Sequence, residues 1–111
     1  MELLLEMARR LGAKIAEHER TSLLKTAQQA VNDDTEAREL IMAYQEQAEK
    51  IQQLELAHKP IEVEDKHKLQ EIEQKISLNE KLKELTRRQV DFVEMMQKVK
   101  RAIDEQLQVE A

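Results

Sequence analysis

The sequence contains no cysteine. A disulfide framework, a thiolate metal site and a cysteine nucleophile are therefore excluded together. Glycine and proline occur once each, and aromatic residues make up 2% of the chain. A sandwich or barrel needs turn residues and β-branched strands, so this composition disfavours both. No apolar run approaches the about 20 residues of a membrane span. Leu3-Leu4-Leu5 follows Glu2 rather than Lys or Arg and is shorter than a signal-peptide core. The expectation is a soluble, cytoplasmic protein. A net charge of −5 argues against general binding to nucleic acid, because phosphates are repelled unless one face segregates its bases.

What the sequence does hold is helix-forming material. At 111 residues the length prior gives one domain. Charged residues make up 37% and hydrophobic residues 41%, too apolar for outright disorder. Ala, Leu, Glu, Lys, Gln and Arg lose little freedom in a helix, and the fold class that follows is all-α, with about five helices.

A first helix is predicted from Glu2 to Glu19, with Leu4, Ala8, Leu11 and Ile15 on one stripe. Gly12 inside it costs roughly 1 kcal/mol against alanine. It marks either a close approach by another backbone or a tolerated surface glycine. The stripe then shifts phase, which predicts a break before a second helix capped by Thr21 or Ser22. Asn32 suits the end of that helix in a left-handed conformation. Asp33 caps the third helix with Glu36 reaching back, and Ala37, Leu40, Ile41, Tyr44, Ala48, Ile51 and Leu54 form its inner face. That helix should end near His58, since Pro60 disfavours helix in the residue before it. After a loop from His58 to Asp65, a fourth helix turns Leu69, Ile72 and Ile76 inward. Ser77 and Glu80 have capping-box spacing for the fifth.

The fifth helix carries the most regular pattern. Leu78, Leu82, Leu85, Gln89, Phe92, Met96, Val99 and Ile103 alternate at spacings of four and three, a heptad seam broken only by Gln89. That glutamine either fixes register or marks a partly solvated point. At about 30 residues the helix is on the order of 45 Å long, longer than the roughly 34 Å diameter of a compact globule of this size. Val90, Val93 and Met95 widen its apolar face past what one partner helix covers. Exposed apolar area of that kind marks an interface, so a homodimer or larger helical assembly is expected. The seam residues Leu82, Leu85, Gln89, Phe92, Met96, Val99 and Ile103 are the candidate oligomer or partner interface. Arg87, Arg88, Lys98, Lys100 and Arg101 make this helix the most basic region, with Asp91 and Glu94 interspersed as in a solvated, salt-bridged face.

No catalytic constellation is present. Glu55 with His58, and Glu64 with His67, have the Glu-x-x-His spacing of a di-iron half-motif. His58, however, falls at a helix end beside Pro60, and Glu64 lies off the Leu69–Ile72–Ile76 stripe. Neither a metal nor another cofactor is expected. Ser22 and Ser77 read as caps, and Met95-Met96 as packing. Tyr44 and Phe92 fall on core stripes, which leaves no aromatic platform for single-stranded nucleic acid.

The order of elements carries a resemblance. The segments MARRLGAKIAEHE, SLLKTAQQAVND and DTEARELIMAYQEQAEKIQQLE, then a Pro-containing loop and a long last helix, resemble the YlbF/YmcA family of bacterial proteins. The best stretches are Leu11-Gly12-x-x-Ile15, Ala27 to Asp34 with Glu36-Ala37, Leu40-Ile41, and Val99-x-x-x-Ile103. The resemblance implies a single all-helical domain over residues 1–111 that associates as dimers or higher oligomers. It also implies a regulatory role, since family members control competence, biofilm formation and sporulation, and some tune mRNA processing by the endoribonuclease RNase Y. Members of that complex are associated with iron–sulfur clusters held by cysteines, a feature this chain does not share. Where the family often has Ser and Tyr before the second helix, His18 and Thr21 stand here.

The function expected is therefore that of a non-catalytic helical adaptor or regulator. It would act by protein–protein contact, with partners in the same family or in the RNA-processing machinery. The alternative is a coiled-coil chaperone or a direct RNA binder.

Overall fold

The computed structural model describes residues 1–108 and contains five helices and no strand among them. They are α1 (Glu2–Glu17), α2 (Glu19–Asn32), α3 (Thr35–Leu56), α4 (Val63–Leu78) and the long C-terminal α5 (Glu80–Leu107). The all-α reading holds, and the helix boundaries fall within two residues of those expected, except that α2 and α4 begin about three residues earlier, at Glu19 and Val63, so that Asp65 belongs to the first turn of α4 and not to the loop. Two compact units are distinguished. One is Gln29–Glu84, and the other joins Met1–Gln28 to the chain from Leu85 onward.

The Gln29–Glu84 unit is built on the antiparallel pair α3 and α4. Ala37, Ile72, Val31 and Leu82 are buried, and Leu40, Ile41, Ile51, Leu54, Leu69 and Ile76 are half-buried around them. The expected inner faces of both helices are thus present, except that Tyr44 is 37% exposed. Helix α3 ends in a Schellman turn. The Lys59 N–H donates to the Leu54 carbonyl at 2.9 Å and the His58 N–H to Glu55 at 3.1 Å. His58 takes the left-handed conformation that glycine usually fills there, with φ at 54°.

The caps differ from those read off the sequence. Asp34, not Asp33, caps α3, its Oδ1 accepting from the N–H groups of Glu36 and Ala37. Lys81 lies 3.0 Å from the other carboxylate oxygen. Asn79, not Ser77, caps α5, accepting from the Leu82 N–H at 3.0 Å, while the Ser77 hydroxyl donates back to the Gln74 carbonyl. A cap is the residue that leaves helical φ/ψ, and tight links between helices fix which neighbour does so. Asn32 ends α2 without the left-handed conformation expected of it.

In the other unit, α1 and α2 are joined by the single residue His18, in extended conformation. His18 also does the capping expected of Thr21 or Ser22: its Nδ1 accepts the Arg20 N–H at 3.1 Å. Thr21 instead closes α1, its hydroxyl donating to the Ile15 carbonyl at 2.6 Å. Arg20 then fixes the start of α2 to α5, donating to the Asp91 carbonyl at 3.1 Å and lying 3.9 Å from Glu94. Among the described residues of this unit, Ala27 and Met95 are the buried apolar side chains.

Candidate interaction surface

Burial along α5 shows which of its faces is used internally. Leu82 is buried within the Gln29–Glu84 unit. Leu85, Phe92, Met96 and Val99 are half-buried, whereas Gln89 and Ile103 are exposed. Met95, expected beside the seam, is buried, and Arg88 and Asp91 are half-buried. The covered face therefore drifts by about one residue along the helix. A straight helix has 3.6 residues per turn, so a strict seven-residue stripe rotates about 20° per heptad and slides off a fixed contact.

The opposite side of α5 is open and partly apolar. Val90 and Val93 are 61% and 51% exposed, and Leu107 lies further along. A hollow of about 490 Å³ runs here, lined by Thr86, Gln89, Val90, Val93, Glu94 and Gln97, all from α5 itself. It is a strip of helix surface with an apolar floor, and it suits another helix better than a small molecule. Its rim is charged. Lys98 lies 3.1 Å from Glu94, and this hydrogen bond, helped by Arg20, holds the Glu94 carboxyl below its ordinary range. Arg88 lies 3.8 Å from Asp91. Lys81, Lys83, Arg88 and Lys98 of this helix thus all face acids, in keeping with a salt-bridged surface.

Helix α1 is exposed along its length except at Ile15, which is half-buried. None of its residues is buried, and Leu3, Leu4, Leu5, Met7 and Leu11 range from 71% to 39% exposed. A Cβ added at Gly12 meets nothing within 4 Å, so no backbone of the same chain approaches it.

The two Glu-x-x-His pairs are exposed, His58 in the loop after α3 and His67 on α4. Among the described residues, no group of three or more His, Asp or Glu is placed to hold a metal ion. No helix there is long and apolar enough to cross a membrane.

Sequence reasoning missed a buried polar cluster. The Gln47 amide is 3% exposed and donates to the Asp65 carbonyl at 2.9 Å, and Lys50 lies 2.8 Å from the Asp65 carboxylate. Both positions carried a signal. Gln47 continues the spacing Leu40, Tyr44, Ile51, Leu54, and Asp65 precedes Leu69, Ile72 and Ile76 by one stripe position. The cluster clamps the first turn of α4 to α3.

The described residues form a small all-α protein that leaves apolar side chains of α1 and α5 exposed. The chain belongs to the YlbF/YmcA family, whose description is "Control of competence regulator ComK, YlbF/YmcA" and whose model matches residues 4–108. Among solved structures it is similar to Bacillus subtilis RicA, determined in complex with RicF. That likeness has a TM-score of 0.83 over 96% of each chain at 20% identity, and it is one of fold. No curated protein sequence matches significantly.

Proposed function

We propose that this protein is a non-catalytic, oligomeric helical adaptor of the bacterial cytoplasm, a single domain over residues 1–111 that regulates by holding other proteins. The carrying observation is the apolar strip of α5, with Val90 and Val93 more than half exposed along an open hollow of the helix surface. The interface centres on α5. Gln89 and Ile103 reach it directly, while Leu82, Leu85, Phe92, Met96 and Val99 support it from the covered side. Membership of a family described by control of a competence regulator supports a task in competence control, and the reading extends to biofilm or mRNA-processing control by resemblance alone. RicA, of like fold, was solved in complex with RicF, which supports protein partners, here taken to come from the same family or the RNA-processing machinery.

The test is capture of the tagged protein from its native lysate, with and without ribonuclease, beside a Val90→Asp/Val93→Asp variant. Recovery of defined protein partners, insensitive to ribonuclease and lost in the variant, is the expected result. Recovery that depends on intact RNA, or that is unchanged in the variant, would refute this reading.

A further inference from the structure

We infer that His18 is a proton-operated elbow: its neutral ring holds the bend between α1 and α2, and proton uptake releases the pair toward one continuous helix. This elbow is independent of the α5 strip described above. Little else fixes the direction of α1. None of its residues is buried and only Ile15 is half-buried, so the helix is aimed by the joint at its end.

A single residue makes that joint. His18 has φ at −68°, already helical, and ψ at 146°, so one torsion separates the bend from uninterrupted helix. Neither glycine nor proline stands between Ala13 and Asn32 to force a break. Hydrogen bonds hold it instead. The Thr21 hydroxyl donates to the Ile15 carbonyl at 2.6 Å, and the Arg20 N–H donates to His18 Nδ1 at 3.1 Å. The Arg20 guanidinium donates in turn to the Asp91 carbonyl of α5. The start of α2 is thereby anchored, and α1 is the arm that moves.

The bond to Nδ1 can be made only by an uncharged ring. Imidazolium carries a proton on both nitrogens and has no lone pair left to accept the Arg20 N–H. The cation is also repelled by the positive end of the α2 dipole. Histidine is the side chain that changes charge between pH 5 and 8. Glu17 and Glu19 flank His18, with Lys14 4.0 Å from Glu17. On α5, Glu94 lies 3.9 Å from Arg20 and is shared with Lys98, and Asp91 is paired with Arg88. A protonated ring turns to Glu17 or Glu19, its adjacent acceptors, and leaves the α2 end uncapped. Rotation of ψ to its helical value then gives the Arg20 N–H a new acceptor, the Ala16 carbonyl. The apolar face moves with the arm. In one continuous helix Leu11 and the buried Ala27 lie about 160° apart around the axis, so the leucines of α1 face away from the covered side of α2.

Paired spin labels test this in the full chain. Arg9→Cys and Gln28→Cys place labels at exposed positions of the two helices in a cysteine-free background, and dilution with unlabelled chain removes signals between copies. Continuous helix sets the two positions about 28 Å apart, and a bend shortens that distance. From pH 8 to pH 5 the population at the straight distance should rise about fivefold, the weight of one lost cap. The Asp34, Asp65 and Glu94 carboxyls are held below the ordinary range and keep their charge throughout. His18→Asn, whose amide oxygen caps at any pH, should stay bent at both values, and His18→Ala should be straight at both. His58→Gln/His67→Gln should respond as the wild type does. A wild-type distance that does not change with pH would overturn the inference, as would an equal pH response in His18→Asn. So would a His18→Ala chain that stays bent, since the ring would then not be what holds the joint.

Discussion

Lys50 and Asp65, fifteen residues apart, meet at 2.8 Å across the α3–α4 pair. The Asp65 carboxylate is the more enclosed partner, its side chain 12% exposed against 59% for Lys50. Contact with Lys50, first by hydrogen bond, holds the Asp65 carboxyl below its ordinary range, and the same bond raises the Lys50 ammonium above its own.

The sign of the pH dependence follows. The folded chain holds the Asp65 proton less tightly than the unfolded one, so this contribution is complete above about pH 4 and is lost as pH falls through the lowered value. The Lys50 contribution is complete below about pH 10.4 and is lost as pH rises through the raised value. Asp34, held low by Lys81 and by the α3 N–H groups, adds to the acid limb. Urea midpoints across pH 2 to 7 should fall at the acid end, and Asp65→Asn should flatten that fall. High salt should flatten it too, because the Lys50 side is open to solvent.

Gln47 contributes differently, through a buried neutral amide. Gln47→Ala leaves the Asp65 carbonyl without that donor in a poorly hydrated place, and should destabilise the chain by about 1–3 kcal/mol. Equilibrium unfolding measures this, and a loss below 0.5 kcal/mol, on the order of an ordinary surface change, would contradict the clamp.

The start of α5 gives a paired prediction. Asn79→Ala removes the cap on the Leu82 N–H and should cost about 1 kcal/mol. Ser77→Ala, which the sequence alone would choose as the damaging change, should stay within about 0.5 kcal/mol. Thermal unfolding of the two variants side by side decides between the caps.

On the exposed strip, Val90→Asp/Val93→Asp should change stability by no more than about 0.5 kcal/mol, since both side chains already face water. Partner capture should nevertheless fall away, because docking would bury unpaired carboxylates. Phe92→Asp reports less cleanly, as Phe92 is half-buried within the chain and its loss strains the fold itself.

The sequence was most informative where a period recurs. The stripes Leu69–Ile72–Ile76 and Leu40–Ile41–Ile51 face inward as read, and the break between α1 and α2 falls where the phase shifts. Caps were displaced by one to three residues, because Asp33 and Asp34, or Ser77 and Asn79, offer the same chemistry and only the surrounding contacts choose between them. Gln47 and Asp65 were overlooked because polar residues on an apolar stripe read as interruptions, although here they bury together. The residues of α5 that recur at spacings of four and three were legible as a seam. Which of them turn inward was not, since helix drift over several heptads moves the contact from Met96 toward Met95.

The clamp between Gln47 and Asp65 spans eighteen residues, so the chain closes only a short loop to form it. Short closures cost little entropy and are reached early in folding. The α3–α4 pair should therefore be the nucleus, with high φ-values at Ile72 and low ones at Leu4. Helix α1, joined through His18 alone, would then gain its order last. Low φ at Ile72 in stopped-flow refolding would reverse that sequence of events.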